Sequence, residues 1–163
     1  MRTREGLLSA TQVARFCAVD LKTIHNWANK GKILGTRTAG RHLRFRPLDV
    51  VDFLRRYELG VPDALRSFRL RVLVVDSDVT ALAATQRALG RRFEVSTAGH
   101  VVDGLLAVAT GLPDVVLVGD VAPLDVATLT SRLGAAEATR HVRVVVRQDT
   151  ARVRETVERL LGD

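Results

Sequence analysis

The chain has 163 residues, 47% of them hydrophobic, a single cysteine and a formal net charge of +7. One thiol excludes an internal disulfide and suits a reducing compartment. No apolar run reaches the ~20 residues that span a bilayer, so no membrane partner is expected, and MRTREG runs directly into a polar helix start, which does not read as a signal peptide.

The charge is unevenly placed. Met1 to Arg71 holds 15 Lys+Arg and 6 Asp+Glu, a net of +9; Val72 to Asp163 holds 10 and 12, a net of −2. A basic half joined to a slightly acidic half directs the first half at a polyanion. A solvated basic face without a partner is the plainer alternative.

Ser9 is a good N-cap, and Gln12 three residues on completes a capping box. Val13, Phe16 and Cys17 follow at helical spacing and face a core, which makes Cys17 a packing residue. Asp20 caps a second helix, Leu21 to Lys30, ended by Gly31. Its apolar face is Leu21, Ile24, Trp27 and Ala28; its polar face is Lys22, Thr23, His25, Asn26 and Asn29. Only Ala18 to Asp20 separate the helices, which forces a sharp helix-turn-helix with that polar face outward. Leu34–Thr38 and His42–Arg46 then form a hairpin across Ala39-Gly40-Arg41, with Gly40 expected to take the positive φ of the turn. Leu43 and Phe45 alternate with His42, Arg44 and Arg46, giving one apolar and one basic face. Pro47 opens a third helix, Leu48 to about Tyr57, packed through Val50, Phe53, Leu54 and Tyr57.

These residues carry a resemblance. The SxxQxA opening (Ser9, Gln12, Ala14), the core Val19, Asp20, Thr23, Ile24 and Trp27, the KGKILGTRTAGRHLRF wing and the Arg46–Leu54 helix make residues 7–57 similar to the excisionase/MerR-like, BldC-type winged helix-turn-helix domains. The resemblance implies double-stranded DNA as partner. Lys22, Thr23, His25 and Asn26 would lie near bases or phosphates, and Arg37, Arg41, Arg44 and Arg46 beside the backbone or minor groove. Asn pairs bidentately with adenine and Arg or Lys with guanine, while most wing contacts are expected on phosphate. Each residue has a plainer reading: Lys22 solvated, His25 covering Trp27, Arg46 held by Asp49.

Gly60 and Pro62 interrupt the third helix, so a linker is placed at 59–69, between domains at 1–58 and 70–163. Leu65 and Phe68 are free to pack on either. From Leu70 the pattern alternates: strand to Asp76, helix Val79–Leu89, strand Phe93–Thr97, helix Val101–Thr110, strand Asp114–Val118, helix Val126–Leu133, strand Val142–Val146, helix Ala151–Leu161. The fold class is therefore two domains, a mainly-α winged helix-turn-helix and an α/β open parallel sheet of about four strands. In the helix from Val101, the residues Val102, Leu105, Leu106 and Ala109 share one apolar face.

The run Val72–Asp78 (VLVVDSD), the run Pro113–Pro123 (PDVVLVGDVAP) and the strand order make this half resemble a response-regulator receiver of flavodoxin-like order. The resemblance implies an aspartyl phosphoacceptor ending the third strand, carboxylates holding Mg²⁺, and a hydroxyl and a lysine reading the phosphoryl group. Residue by residue most of that set is missing. Asp76 keeps the first acidic place, but Ser77 stands where a second acid belongs. Gly119 occupies the acceptor position, and Asp120 lies one step on, turned to another direction. Gln148, after Arg147, falls at the hydroxyl position, and no lysine follows Lys32. The half is also one strand-helix unit short. It reads as a truncated pseudo-receiver with Asp120 as the sole remaining acceptor, and with Asp76, Asp78 and Asp120 kept as loop caps. Such a domain would dimerise or dock a partner, through its first helix or its uncovered fourth-strand edge.

Other chemistries find no support. A cobalamin loop would need an acid where Ala98 stands and a different spacing after His100. No G-x-G-x-x-G follows a strand. Only His25, His42, His100 and His141 are available for metal or triad chemistry. No enzyme activity, cofactor or metal is expected. The function expected is a bacterial, cytoplasmic, nucleoid-associated regulator of transcription, acting as a homodimer or cooperative array because one helix-turn-helix covers one half-site. An adaptor tethering a protein to DNA, or an excisionase-like architectural factor, are the alternatives.

Overall fold

Ser9 Oγ accepts the Gln12 N–H at 3.2 Å while Gln12 Oε1 accepts the Ser9 N–H at 2.8 Å. This reciprocal box satisfies two otherwise orphaned donors and starts α1 (Ala10–Cys17) directly after β1 (Leu8–Ser9). The computed structural model describes residues 6–121 and 125–161; Ala122 and Pro123, the end of the Pro113–Pro123 run, lie outside them.

The left-handed Ala18 (φ 53) stops α1, and Val19 N–H closes back on Ala14 carbonyl at 3.0 Å. Asp20 Oδ1 then accepts the Thr23 N–H at 2.7 Å and starts α2 (Leu21–Asn29). Gly31 (φ 68) ends it, with Lys32 N–H on Trp27 carbonyl at 2.9 Å. β2 (Thr36–Arg37) and β3 (Leu43–Phe45) follow, and the short strands pair antiparallel in the order β1-β3-β2. Pro47 is the first residue of α3 (Pro47–Arg56), where its missing N–H costs nothing. A one-turn helix, α4 (Asp63–Arg66), lies in the stretch expected to be linker.

Leu8, Val13, Ile24, Ile33, Phe45, Val50 and Leu54 form one core, and Leu65 and Phe68 join it. Trp27 and Phe53 stack with centroids 5.0 Å apart, and Phe53 meets Tyr57 at 4.7 Å. Tyr57 and Leu21, expected inside, are each 45% exposed on the rim. Leu21 is the first residue of α2 and has no preceding turn to cover it.

From Leu70 the strands are β4 (Arg71–Val75), β5 (Glu94–Ala98), β6 (Val115–Val118) and β7 (Arg143–Val146). The helices are α5 (Val79–Leu89), α6 (Val101–Gly111), α7 (Val126–Ala135) and α8 (Val153–Leu160). All strand pairs are parallel, in the order β5-β4-β6-β7. This matches the expected α/β class. The central strands have fully buried runs, as a sheet covered on both faces demands. α6 faces the sheet through Gly104 and Val108, and a Cβ at Gly104 would stand 3.0 Å from both Val75 methyls. The apolar face Val102, Leu105, Leu106 and Ala109 therefore turns to solvent, with Leu106 60% exposed.

By compactness the chain divides into residues 1–68 with 158–163, and residues 69–157. No helix among the described residues is long and apolar enough to cross a membrane.

Candidate nucleic-acid interface

The turn at Ala18 to Asp20 and the packing of Ile24 fix which side of α2 faces out. Lys22 and Asn26 are exposed there, and Thr23 and His25 are half-buried beside them. The Thr23 backbone N–H, bonded to Asp20, holds that carboxyl below its ordinary value; the Thr23 side chain and the Lys22 charge act the same way. Burial pushes the Cys17 thiol above its ordinary value, which fits a packing role.

The wing is oriented by register. Thr36 pairs with Arg44 and Arg37 with Leu43. Paired residues share a sheet face, so Arg37 lies on the side of Leu43 and Arg44 on the opposite side with Ser9 and Thr36. From there Arg37 Nη2 donates to Asn29 Oδ1 at 2.9 Å, and Nη1 donates to the Arg41 carbonyl at 3.3 Å. One guanidinium thus braces the C-terminus of α2 against the wing tip. Arg44 Nη1 donates to the Leu43 carbonyl at 3.0 Å. The hairpin closes with Arg41 N–H on Thr38 carbonyl at 2.8 Å and Thr38 N–H on His42 carbonyl at 3.0 Å. The left-handed residue of this three-residue loop is Arg41 (φ 58) and not Gly40, because the third loop position is the one that must turn back into the strand. Gly35 is required differently: a Cβ there would stand 2.9 Å from Phe45 Cε1 and 3.1 Å from Leu43 Cδ1.

In the α/β unit, Asp76, Gly119 and Arg147 follow β4, β6 and β7 at one end of the sheet. Asp76 is fully buried. Its Oδ1 accepts the Asp78 N–H at 2.9 Å, and its Oδ2 is ion-paired with Arg147 Nη2. Val118 lies opposite Val146, so the next pair is Gly119 with Arg147, and it is Arg147 that reaches inward. Gln148 is exposed. Asp120 is also exposed, while its carbonyl accepts both Ser77 N–H at 3.0 Å and Ser77 Oγ at 2.6 Å. Asp78 caps α5 through Thr80 N–H at 2.8 Å, the expected role; Asp76 does not serve merely as a loop cap, because burial demands a counter-charge.

Residues 7–57 match the helix-turn-helix domain family. No curated protein matches the chain. Among solved structures, a response regulator from Desulfuromonas acetoxidans aligns at 20% identity over 56% of this chain and 96% of its own, with a TM-score of 0.43. The N-terminal domain of a response regulator receiver protein from Methanoculleus marisnigri JR1 aligns at 21% identity over 58% and 98%, with a TM-score of 0.42.

Within the helix-turn-helix domain, the structure brings Arg37, Arg41 and the end of α2 together and sets Arg44 on the other sheet face. Arg46 is half-buried at the N-cap of α3. Asn29 lies on the polar face of α2 but outside the set expected to touch DNA; its bond to Arg37 makes it the residue that joins helix to wing. Arg147 likewise carries no signal of its own in the sequence, and only the β6–β7 register identifies it.

Proposed function

We propose that the chain is a DNA-binding regulator whose helix-turn-helix domain docks α2 in the major groove of double-stranded DNA. The observation that carries this is the Arg37 brace, which holds the wing beside the outward polar face of α2 while using only neutral oxygens as acceptors. The positive charge of Arg37 stays available to phosphate, and Lys22, Arg41 and Arg44 add to it. Thr23, His25 and Asn26 are the base-reading candidates, and Arg46 is half-buried. The excisionase/MerR-like, BldC-type subtype belongs to this reading, since it rests on the motif residues.

The α/β unit, in the same reading, is a pseudo-receiver that serves protein contact, in a homodimer or array that pairs two half-sites. Gly119 offers no carboxylate and Asp120 is exposed, away from the buried Asp76, so the unit works without aspartyl phosphate.

Fluorescence anisotropy of the full chain on duplex DNA across a salt series tests the first claim. Binding weakens with a clear negative slope of log K on log salt; a slope near zero overturns it. Acetyl-phosphate labelling tests the second, and label that disappears in Asp120→Ala overturns it. Light scattering with and without DNA reads the oligomer.

A further inference from the structure

We propose that the ligand crevice of the α/β unit is permanently filled by the chain's own Arg147, a built-in counter-ion that holds the unit in one state. This inference stands independently of DNA binding.

In open sheets of this strand order, ligands enter beyond the carboxyl ends of the strands where the order reverses, here between β4 and β6. Asp76 and Gly119 stand at that place. A carboxylate with no exposure cannot remain charged there without a partner. Arg147 supplies one, its side chain only 15% exposed. The arginine is itself fixed at two further points: Nη1 donates to Thr150 Oγ1 at 2.9 Å, and its backbone N–H donates to Val118 carbonyl at 2.8 Å. Glycine at 119 completes the arrangement. A Cβ at that position would overlap the Asp76 carboxylate and stand 3.0 Å from Arg147 Nη2.

Three residues therefore interlock: Asp76 gives the charge, Gly119 the space, Arg147 the plug. The pair ties the segment 147–150 to the segment 76–78. It engages both oxygens of Asp76, places a cation where a metal ion would have to stand, and leaves no room beside Gly119 for an anion. Whatever this unit contacts, it presents that end of the sheet ungated by a small ligand.

The test uses the full chain with Arg147→Met, Asp76→Asn and both together. Arg147→Met strands a buried carboxylate and lowers Tm by roughly 5–10 °C, and the double variant recovers more than half of that loss because no charge is left unpaired. Hydrogen exchange rises together at 76–78 and 147–150 in Arg147→Met. Equal losses in the single and double variants, or faster exchange at 147–150 alone, overturn the proposal. If Arg147→Met does not fold, Arg147→Lys keeps the counter-charge and folds; a lysine variant that also fails overturns it. Excess MgCl₂ or inorganic phosphate leaves the wild-type Tm unmoved, and a saturable rise with either shows an open crevice and overturns it.

Discussion

In the helix-turn-helix domain, Arg37 and Arg44 rest on an amide and on backbone carbonyls, whereas in the α/β unit Arg147 is paired with the buried carboxylate of Asp76. The same side chain does opposite electrostatic work. A guanidinium on neutral acceptors is held in place with its charge unspent, in the half of the chain that carries the net positive charge. A guanidinium on a buried carboxylate has its charge offset where it stands. The difference teaches that positive charge reports on partners only after its acceptors are known.

The largest effect expected from breaking this contrast is on DNA. Changing Lys22, Arg37, Arg41 and Arg44 together to Ala removes three exposed cations and the half-buried Arg44. Affinity falls on the order of 10²–10³-fold, and the salt slope drops by about one for each phosphate no longer neutralised. Arg37→Ala accounts for a larger share than Arg44→Ala, because it also releases Asn29 and the wing tip. Anisotropy at several salt concentrations measures both. Arg147→Met, at a folded temperature, leaves the slope unchanged; a slope reduced as much as by Arg37→Ala would erase the contrast.

Next in size is Gly119→Ala. Its methyl displaces the Asp76 carboxylate from Arg147, and the expected loss is about 2–4 kcal/mol, combining overpacking with a disturbed buried ion pair. Gly35→Ala is the counterpart in the first unit. There the methyl meets Phe45 and Leu43, apolar side chains that can shift, and the loss is about 1–3 kcal/mol. Denaturant unfolding followed by hydrogen exchange assigns each loss to its unit. Equal costs would mean that the charge of the Asp76 site adds nothing to its steric tightness.

How much was legible in the sequence follows the same division. Local chemistry was readable: the Ser9–Gln12 box, the Asp20 cap and the Pro47 start fix their helices within a few residues, and the run from Arg71 is a buried strand. The outward face of α2 was also readable from helical spacing, with Lys22 and Asn26 exposed, whereas the wing arginines divide: Arg37 and Arg41 are exposed, and Arg44 and Arg46 are half-buried. Features that depend on pairing were not. Arg147 lies 71 positions from Asp76, and only the folded sheet brings the two together while Gln148 stays exposed. The Arg37–Asn29 brace needs the hairpin face to be known. α6 defeated periodicity for another reason: it is apolar on nearly every side, so Val102, Leu105 and Leu106 made as good a stripe as Gly104 and Val108. The tight approach of Gly104 to Val75 decides the face, and no helical period contains that information.

The smallest effect concerns the caps, where the two units should behave alike. Asp20 caps α2 through Thr23 N–H, and Asp125 caps α7 through Ala127 N–H while also accepting the Thr128 hydroxyl. Both carboxyls sit below the ordinary value of 3.8 because hydrogen bonds favour the ionised form. A lowered folded value means that the stabilisation is present above 3.8 and is lost as pH falls through the folded value. Both groups are exposed, so solvent screens the effect and the step is small. Following the Thr23 and Ala127 amide resonances by NMR on acidification should show a step at each helix start, below pH 3.8. Asp20→Asn retains a capping oxygen without a titrating proton, so it abolishes the step at Thr23 and leaves that at Ala127. A Thr23 step that survives in Asp20→Asn would place its origin elsewhere and remove Asp20 as the residue that sets the start of α2.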